Sequence, residues 1–251
     1  MSREQLIVCM DASAATDINQ AISAAMAPFD RNRDLSSDQD KGGEEWDSWD
    51  VGSTKLEFLV RVGHENDPRL VRNPKTPRGE LRPLTPGLCD GGPLGLLDLR
   101  EQKLQAAAAA QKLWNQWTEF SQGFPTAQGL DDLIAADPHA SEQVPGPHAS
   151  EQVPGPAWHA YRRQPLVQAL FADHDLRDRF GDNAVGNFGV GEDAFIHRKA
   201  NESVTADALL TIDGRWLAWD SMRHDPYVQL VGDYLDRLPQ NAIAVVVTYH
   251  C

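Results

Sequence analysis

Residues 206–219 read ADALLTIDGRWLAW, two apolar runs at 206–212 and 215–219 on either side of Asp213-Gly214. An Asp-Gly pair in that setting is the strongest short-range signal for a β-hairpin, because the tight turn needs residues that tolerate positive φ. Beyond the hairpin, Asp225-Pro226 starts a helix whose apolar side carries Tyr227, Val228, Leu230, Val231, Tyr234, Leu235 and Leu238. Proline is tolerated in a first turn, where its missing N–H has no helical partner to lose. Asn241 to Tyr249, with Ile243, Val245, Val246 and Val247, then reads as a central strand.

The other end of the chain uses the same vocabulary. Residues 5–10, QLIVCM, form a short apolar run expected to be a buried strand. Ser13 or Thr16 can cap a following helix with Ile18, Ala21, Ile22, Ala25 and Met26 at helical spacing, ending near Pro28. Residues 30–50 are polar and acidic, a loop by composition. From Lys55 to Val62, Leu56, Phe58 and Val60 alternate with polar side chains, which predicts a half-buried strand. The order of these segments is that of a ferredoxin-like α+β sandwich, βαβ–ββαβ, built from residues 1–62 and 206–251. Residues 63–205 would then be a long helical and irregular insertion.

Within that insertion, RNPKTPRGELRPLTPG at 72–87 and CDGGPLGLLD at 89–98 predict an irregular excursion, since proline and glycine both weaken a sheet interior. Asp98 can cap a helix that is propagated by Ala106 to Ala110 and lined by Leu104, Leu113, Trp114 and Trp117 as far as about Phe120. The segment PHASEQVPG at 138–146 is repeated without change at 147–155, and both copies are proline-bounded and poor in large apolar groups, so 138–155 reads as a linker. Two amphipathic segments follow at 165–171 and 173–180, then the glycine-rich GDNAVGNFGVG and a helix at 192–199.

The tryptophans add a second pattern. Six of the seven form W-x-x-W pairs, Trp46 with Trp49, Trp114 with Trp117 and Trp216 with Trp219, and Trp158 stands alone. Residues three apart share one face of a helix but lie on opposite faces of a strand, so the middle pair should bury both rings on one side.

Composition narrows the classes. The 251 residues carry 37 acidic against 23 basic side chains, a net charge of -14, with no basic block to follow a phosphate backbone, so nucleic acid is an unlikely partner by charge. Cys9, Cys89 and Cys251 are an odd number without C-x-x-C spacing, which argues against a disulfide framework or a thiolate zinc site and fits a reducing cytoplasm. The apolar run of the first ten residues is too short for a signal-peptide core or a membrane span, so a cytoplasmic, soluble protein without a membrane partner is expected.

With these segments in place, the chain resembles a family of actinobacterial and actinophage proteins to which no activity is assigned. The resemblance is carried by the opening strand and helix to Pro28-Phe29-Asp30, WDSWDVG at 46–52, CDGGPLGLLDL at 89–99, FGVGEDAFIHRKA at 188–200, LLTIDGRWLAWDSM at 209–222 and the closing AVVVTYHC. These cover most of the chain in the same order. Two departures stand out: the duplicated PHASEQVPG, and the single Gly52 where the family pattern has two glycines and an arginine.

Trp46-Asp47-Ser48 and Trp219-Asp220-Ser221 repeat one tripeptide. If both lie near one end of the sheet, Asp47, Asp50 and Asp220 could hold a divalent cation through oxygen, with His64, Glu65, Asp67 and His224 nearby. Asp11, at the end of the first strand, reads as a helix cap. Gly186, Gly189 and Gly191 precede a helix and could offer backbone N–H groups to a phosphate, but the string lacks a preceding strand, lysine or threonine and reads by default as a flexible turn. His139 and His148 in the repeat, and Cys9 with His250 and Cys251, are incomplete metal sets. No Ser-His-Asp order, G-x-S-x-G or H-E-x-x-H pattern occurs. The leading expectation is therefore a non-enzymatic acidic protein-interaction module without cofactor or metal, phage-related in setting, meeting an unidentified protein partner through Trp46, Trp49, Trp216 and Trp219. The alternative is a metal-dependent hydrolase or nuclease acting on phosphoesters through Asp47, Asp50, Asp220 and His224. Oligomeric state is left open.

Overall fold

The computed structural model describes residues 3–32, 45–53, 55–75, 81–136, 144–145, 152–153, 155–221 and 224–250. In chain order the elements are β1 (Arg3–Met10), α1 (Ile18–Met26), β2 (Ser48–Val51), β3 (Phe58–Leu59), β4 (Leu88–Cys89), β5 (Gly91–Pro93), α2 (Leu99–Ser121), α3 (Leu130–Ala136), β6 (Val144–Pro145), β7 (Gln152–Val153), α4 (Pro156–Arg162), α5 (Pro165–Ala172), α6 (His174–Phe180), α7 (Ala184–Gly189), α8 (Glu192–Glu202), β8 (Ala208–Leu210), β9 (Trp216–Ala218), α9 (His224–Arg237) and β10 (Ile243–His250). Two compact units divide the chain: Met1–Ala106 with Arg198–Cys251, and Ala107–His197. Residues 63–106 and 198–205 group with the terminal segments in the first unit.

The first unit is mixed α/β. Its sheet runs β2-β10-β1-β8-β9, with β5 also pairing β10. β10 is antiparallel to β1 in a full register from Arg3↔His250 to Met10↔Ile243, and β1 is parallel to β8. Alternate residues of these strands face two separate cores. On one face Leu6, Val8, Met10, Ala208, Leu210, Val245 and Val247 pack with Ile22 and Met26 of α1, Phe29 and Trp46. On the other, Ile7, Cys9, Leu209, Ala244 and Val246 pack with Tyr227, Val228, Val231 and Leu235 of α9 and with Phe58, Cys89, Leu94 and Leu97 of the irregular excursion. A strand buried on both faces reads as an unbroken apolar run, which is why Ile243–Val247 lacks polar alternation.

The specific ferredoxin-like arrangement is not confirmed. The sheet is mixed and contains a parallel pair, and helices lie on both of its faces. The predicted strand at 55–62 is only Phe58–Leu59, paired with Leu88–Cys89 outside the main sheet. The outer edge of β10 is already taken, by β2 at Val247–His250 and by β5 at Ile243–Val245. The hairpin forms between β8 and β9 with Leu210 opposite Trp216, and Gly214 in its turn has φ 78°.

The second unit is helical around an aromatic core. Trp117 stacks on Phe188 at 4.8 Å between ring centroids, and Phe188 on Phe195 at 4.5 Å. Trp114 and Trp117 both pack into this cluster from α2. Gly186 and Gly189 lie inside α7, so the expected glycine turn is a helix there. Of the duplicated segment, β6 and β7 pair antiparallel with Val144 opposite Val153, equivalent residues of the two copies. His139, His148 and Cys251 lie outside the described residues.

Candidate functional site

The acids proposed for a metal do not converge. Asp47 and Asp50 flank or lie on β2, whereas Asp220 sits in the 3-10 turn after β9 and His224 begins α9. β2 and β9 are opposite edges of the sheet, with β10, β1 and β8 between them; at about 4.8 Å per strand the two pairs are roughly 19 Å apart. Both tripeptides do lie toward the same end of the strands, the end where β1 begins, but on opposite lateral edges of the sheet, so their carboxylates do not meet. His64, Glu65 and Asp67 form a tight turn in which Glu65 Oε1 accepts from the Gly63 amide at 3.1 Å and Asp67 takes a two-point contact from Arg69. Those hydrogen bonds hold the Asp67 carboxyl down at about 2. Among the described residues no group of three His, Cys, Asp or Glu side chains is placed to hold a metal ion. Cys9 is buried, and burial pushes its thiol above the ordinary value.

Asp47 instead ties the start of β2 to the end of β10. Its Oδ1 lies 2.8 Å from His250 Nδ1 and accepts from Ser48 Oγ at 3.0 Å. The His250 contact, helped by Ser48, holds the Asp47 carboxyl below its ordinary 3.8. A depressed carboxyl contributes stability that is present above the unfolded-state value and is lost as pH falls through the folded-state value. The difference in urea midpoint between wild type and Asp47→Asn should therefore be present at pH 6, narrow below about pH 3.8 and vanish at lower pH. A difference that stays constant with pH would show that the charge contributes nothing.

The tryptophans proposed to meet a partner separate into core and surface. Trp46 is buried and its Nε1 donates to the Met26 carbonyl at 3.0 Å. Trp49 is half-buried against the α1 face of the sheet. Trp216 packs on Phe29 at 5.1 Å and edge-on to Tyr249 at 5.3 Å. Only Trp219 of the four is exposed, at 45%.

Trp219 stands over a pocket of about 300 Å³ lined also by Glu202, Thr205, Asp207, His224 and Tyr227, with Ala206 and Val228 on its apolar side. Local structure places each. Asp207 precedes β8, where its Oδ2 accepts the Gln5 amide of β1 at 2.8 Å. The Trp219 amide donates to the Asp207 carbonyl at 3.1 Å, so the hairpin brings both residues to the lining of one pocket. Tyr227 Oη donates to the Ala206 carbonyl at 3.0 Å; burial, with the nearby Asp207 charge, pushes its phenol far up, so it stays protonated. Glu202 is paired with Lys199 at 2.6 Å and Arg198 at 3.6 Å.

A larger crevice, about 500 Å³, lies between the start of α1 and the hairpin turn. Its carboxylates are committed to the backbone: Asp11 accepts from the Ser13 amide at 2.7 Å and Asp17 from the Gln20 amide at 3.0 Å. Asp11 caps the short 3-10 turn Ala12–Thr16, and α1 itself is capped by Asp17 in place of the expected Ser13 or Thr16.

One charged site has no counterpart among the expectations. Asp90 is completely buried and pairs with Arg82. Its Oδ2 accepts the Asn73 amide at 2.6 Å and its Oδ1 the Ser53 amide at 3.4 Å. Arg82 in turn donates to the Ser53 carbonyl and, through Nε at 2.8 Å, to the Asn73 carbonyl. The pair clamps three irregular segments; the only sequence signal is a carboxylate set among CDGGP, where glycines leave room for a close backbone. In comparisons with known proteins no family model, no curated protein and no solved structure matches the chain.

Proposed function

We propose that the chain is a protein-interaction module that meets its partner at the Trp219 pocket. What carries the reading is a half-exposed indole at the mouth of a pocket with an apolar floor and a carboxylate beside it. Tryptophan is the residue most enriched at interface hot spots, where it fills or closes a desolvated pocket. The other members of the W-x-x-W pairs in this unit, Trp46, Trp49 and Trp216, contribute to packing, and we assign them no contact role. The proposed setting is the cytoplasm of an actinobacterium or of a cell infected by an actinophage, which rests on the resemblance of the tryptophan, CDGGP and hairpin segments and on the cysteine usage. No helix among the described residues is long and apolar enough to cross a membrane.

Affinity capture from host lysate with wild-type and Trp219→Ala chains tests the reading. A stoichiometric protein retained by the wild type and lost from Trp219→Ala, with both chains equally folded by near-UV circular dichroism, is the expected result. Equal retention by both chains would remove Trp219 from the interface. The hydrolase alternative requires Asp47, Asp50, Asp220 and His224 to act together, and their positions at opposite sheet edges favour no such reading.

A further inference from the structure

Resting on that reading, we infer that the Trp219 pocket recognises a guanidinium group, the arginine side chain of a basic partner segment. Most polar groups around the pocket are already engaged. The Tyr227 hydroxyl is given to the Ala206 carbonyl, and Glu202 is neutralised by Lys199 and Arg198. Asp207 has no cationic partner among the described residues; its Oδ2 takes the Gln5 amide, and Oδ1 takes no hydrogen bond from any of them. Among the described residues the pocket therefore offers a carboxylate without a cationic partner and an exposed indole in one lining. A planar guanidinium satisfies both, stacking on the indole while its fork of N–H groups reaches the carboxylate, whereas an ammonium group is a compact, strongly hydrated point charge that matches neither geometry as well. The apolar floor of Ala206 and Val228 accepts the methylene stem. A net charge of -14 draws a basic segment toward the surface.

The probes are Nα-acetyl-arginine N-methylamide and its neutral isostere, Nα-acetyl-citrulline N-methylamide, added to the full chain while the indole ¹H–¹⁵N resonance of Trp219 is followed. That resonance is assigned by its disappearance in Trp219→Phe. The arginine probe should shift it saturably with a dissociation constant of about 1–10 mM, and the citrulline probe should bind at least about tenfold more weakly. Asp207→Asn keeps an oxygen for the Gln5 amide and should weaken the arginine probe about tenfold. Equal shifts from both probes, or no saturable shift by about 50 mM arginine probe, overturn the inference on the wild-type chain alone. Partner capture lost with Trp219→Ala but unchanged with Asp207→Asn would also overturn it while leaving the interaction reading in place. Saturable, charge-dependent probe binding together with capture unaffected by Trp219→Ala would sustain the guanidinium site and end the interaction reading.

Discussion

Gly91→Ala is expected to lower the stability of the first unit by about 2–6 kcal/mol, from backbone strain and overpacking that each cost of order 1–3 kcal/mol. β5 lies against β10 with Gly91 opposite Val245. A Cβ at Gly91 would come within 2.2 Å of the Ala244 carbonyl oxygen and 2.7 Å of Val245 Cα, and the residue sits at φ 154°. Neither contact can be relieved by turning a side chain, because both partners are backbone of a central strand. Gly63→Ala separates the two causes: that glycine has φ 87° but nothing within 4 Å of the added carbon, so it should lose only about 1–3 kcal/mol from conformation. Urea unfolding of the three chains, read at the midpoint with unchanged slope, measures both. Equal losses at Gly91 and Gly63 would show that β5 can move away from β10.

Asp90→Ala is the other large loss, about 3–5 kcal/mol, because it removes the buried partner of the Arg82 guanidinium and leaves it only the longer 3.5 Å contact with Glu57. The Arg82 side chain is 10% exposed and that of Asp90 0%. The same substitution strips the Asn73 and Ser53 amides of their acceptor. A double substitution, Arg82→Met with Asp90→Ala, should be less harmful than the sum of the single changes, since neither member of the buried pair is then left without the other. Strict additivity would mean that the two residues act independently. The clamp matters to the site because it orders the excursion that packs, through Phe58, Cys89 and Leu94, in the same core as Tyr227 and Val228 of the pocket floor.

Much of the first unit was legible where local chemistry and final environment agree. The apolar runs of β1 and β10, the Asp213-Gly214 hairpin, the amphipathic α9 and the caps Asp11 and Asp98 all follow from short-range rules, and each is present. Pairing was not legible. Whether β1 lies parallel to β8 depends on contacts some 200 residues apart, and nothing in either strand encodes direction. β2 was missed because SWDV is four residues long, polar on one side and at an edge, where the requirement for apolar residues is weakest. The alternation at 55–62 is real, but it serves to pack Leu56, Phe58 and Val60 into the α9-side core from a mostly irregular segment.

The site divided in the same way. Trp219 could be named from composition, but its exposure against the burial of Trp46 and Trp216 is decided by its surroundings: Trp219 lies in a 3-10 turn at the sheet edge, whereas the other two pack in the α1 layer. Asp207 belongs to no motif; it reaches the pocket only because β8 starts one residue later and the hairpin returns Trp219 to pair with its backbone. Asp90 is the reverse case, a conspicuous position within CDGGP whose burial no periodicity can announce.

The most direct measurement is the affinity of the purified partner for three chains, wild type, Trp219→Ala and Asp50→Asn, by isothermal titration calorimetry. An anchoring tryptophan is worth about 2 kcal/mol or more, so Trp219→Ala should bind roughly 30-fold more weakly while Asp50→Asn, on the opposite sheet edge, binds as the wild type does. Wild-type affinity in Trp219→Ala, or a loss confined to Asp50→Asn, would contradict the placement of the interface at the Trp219 pocket.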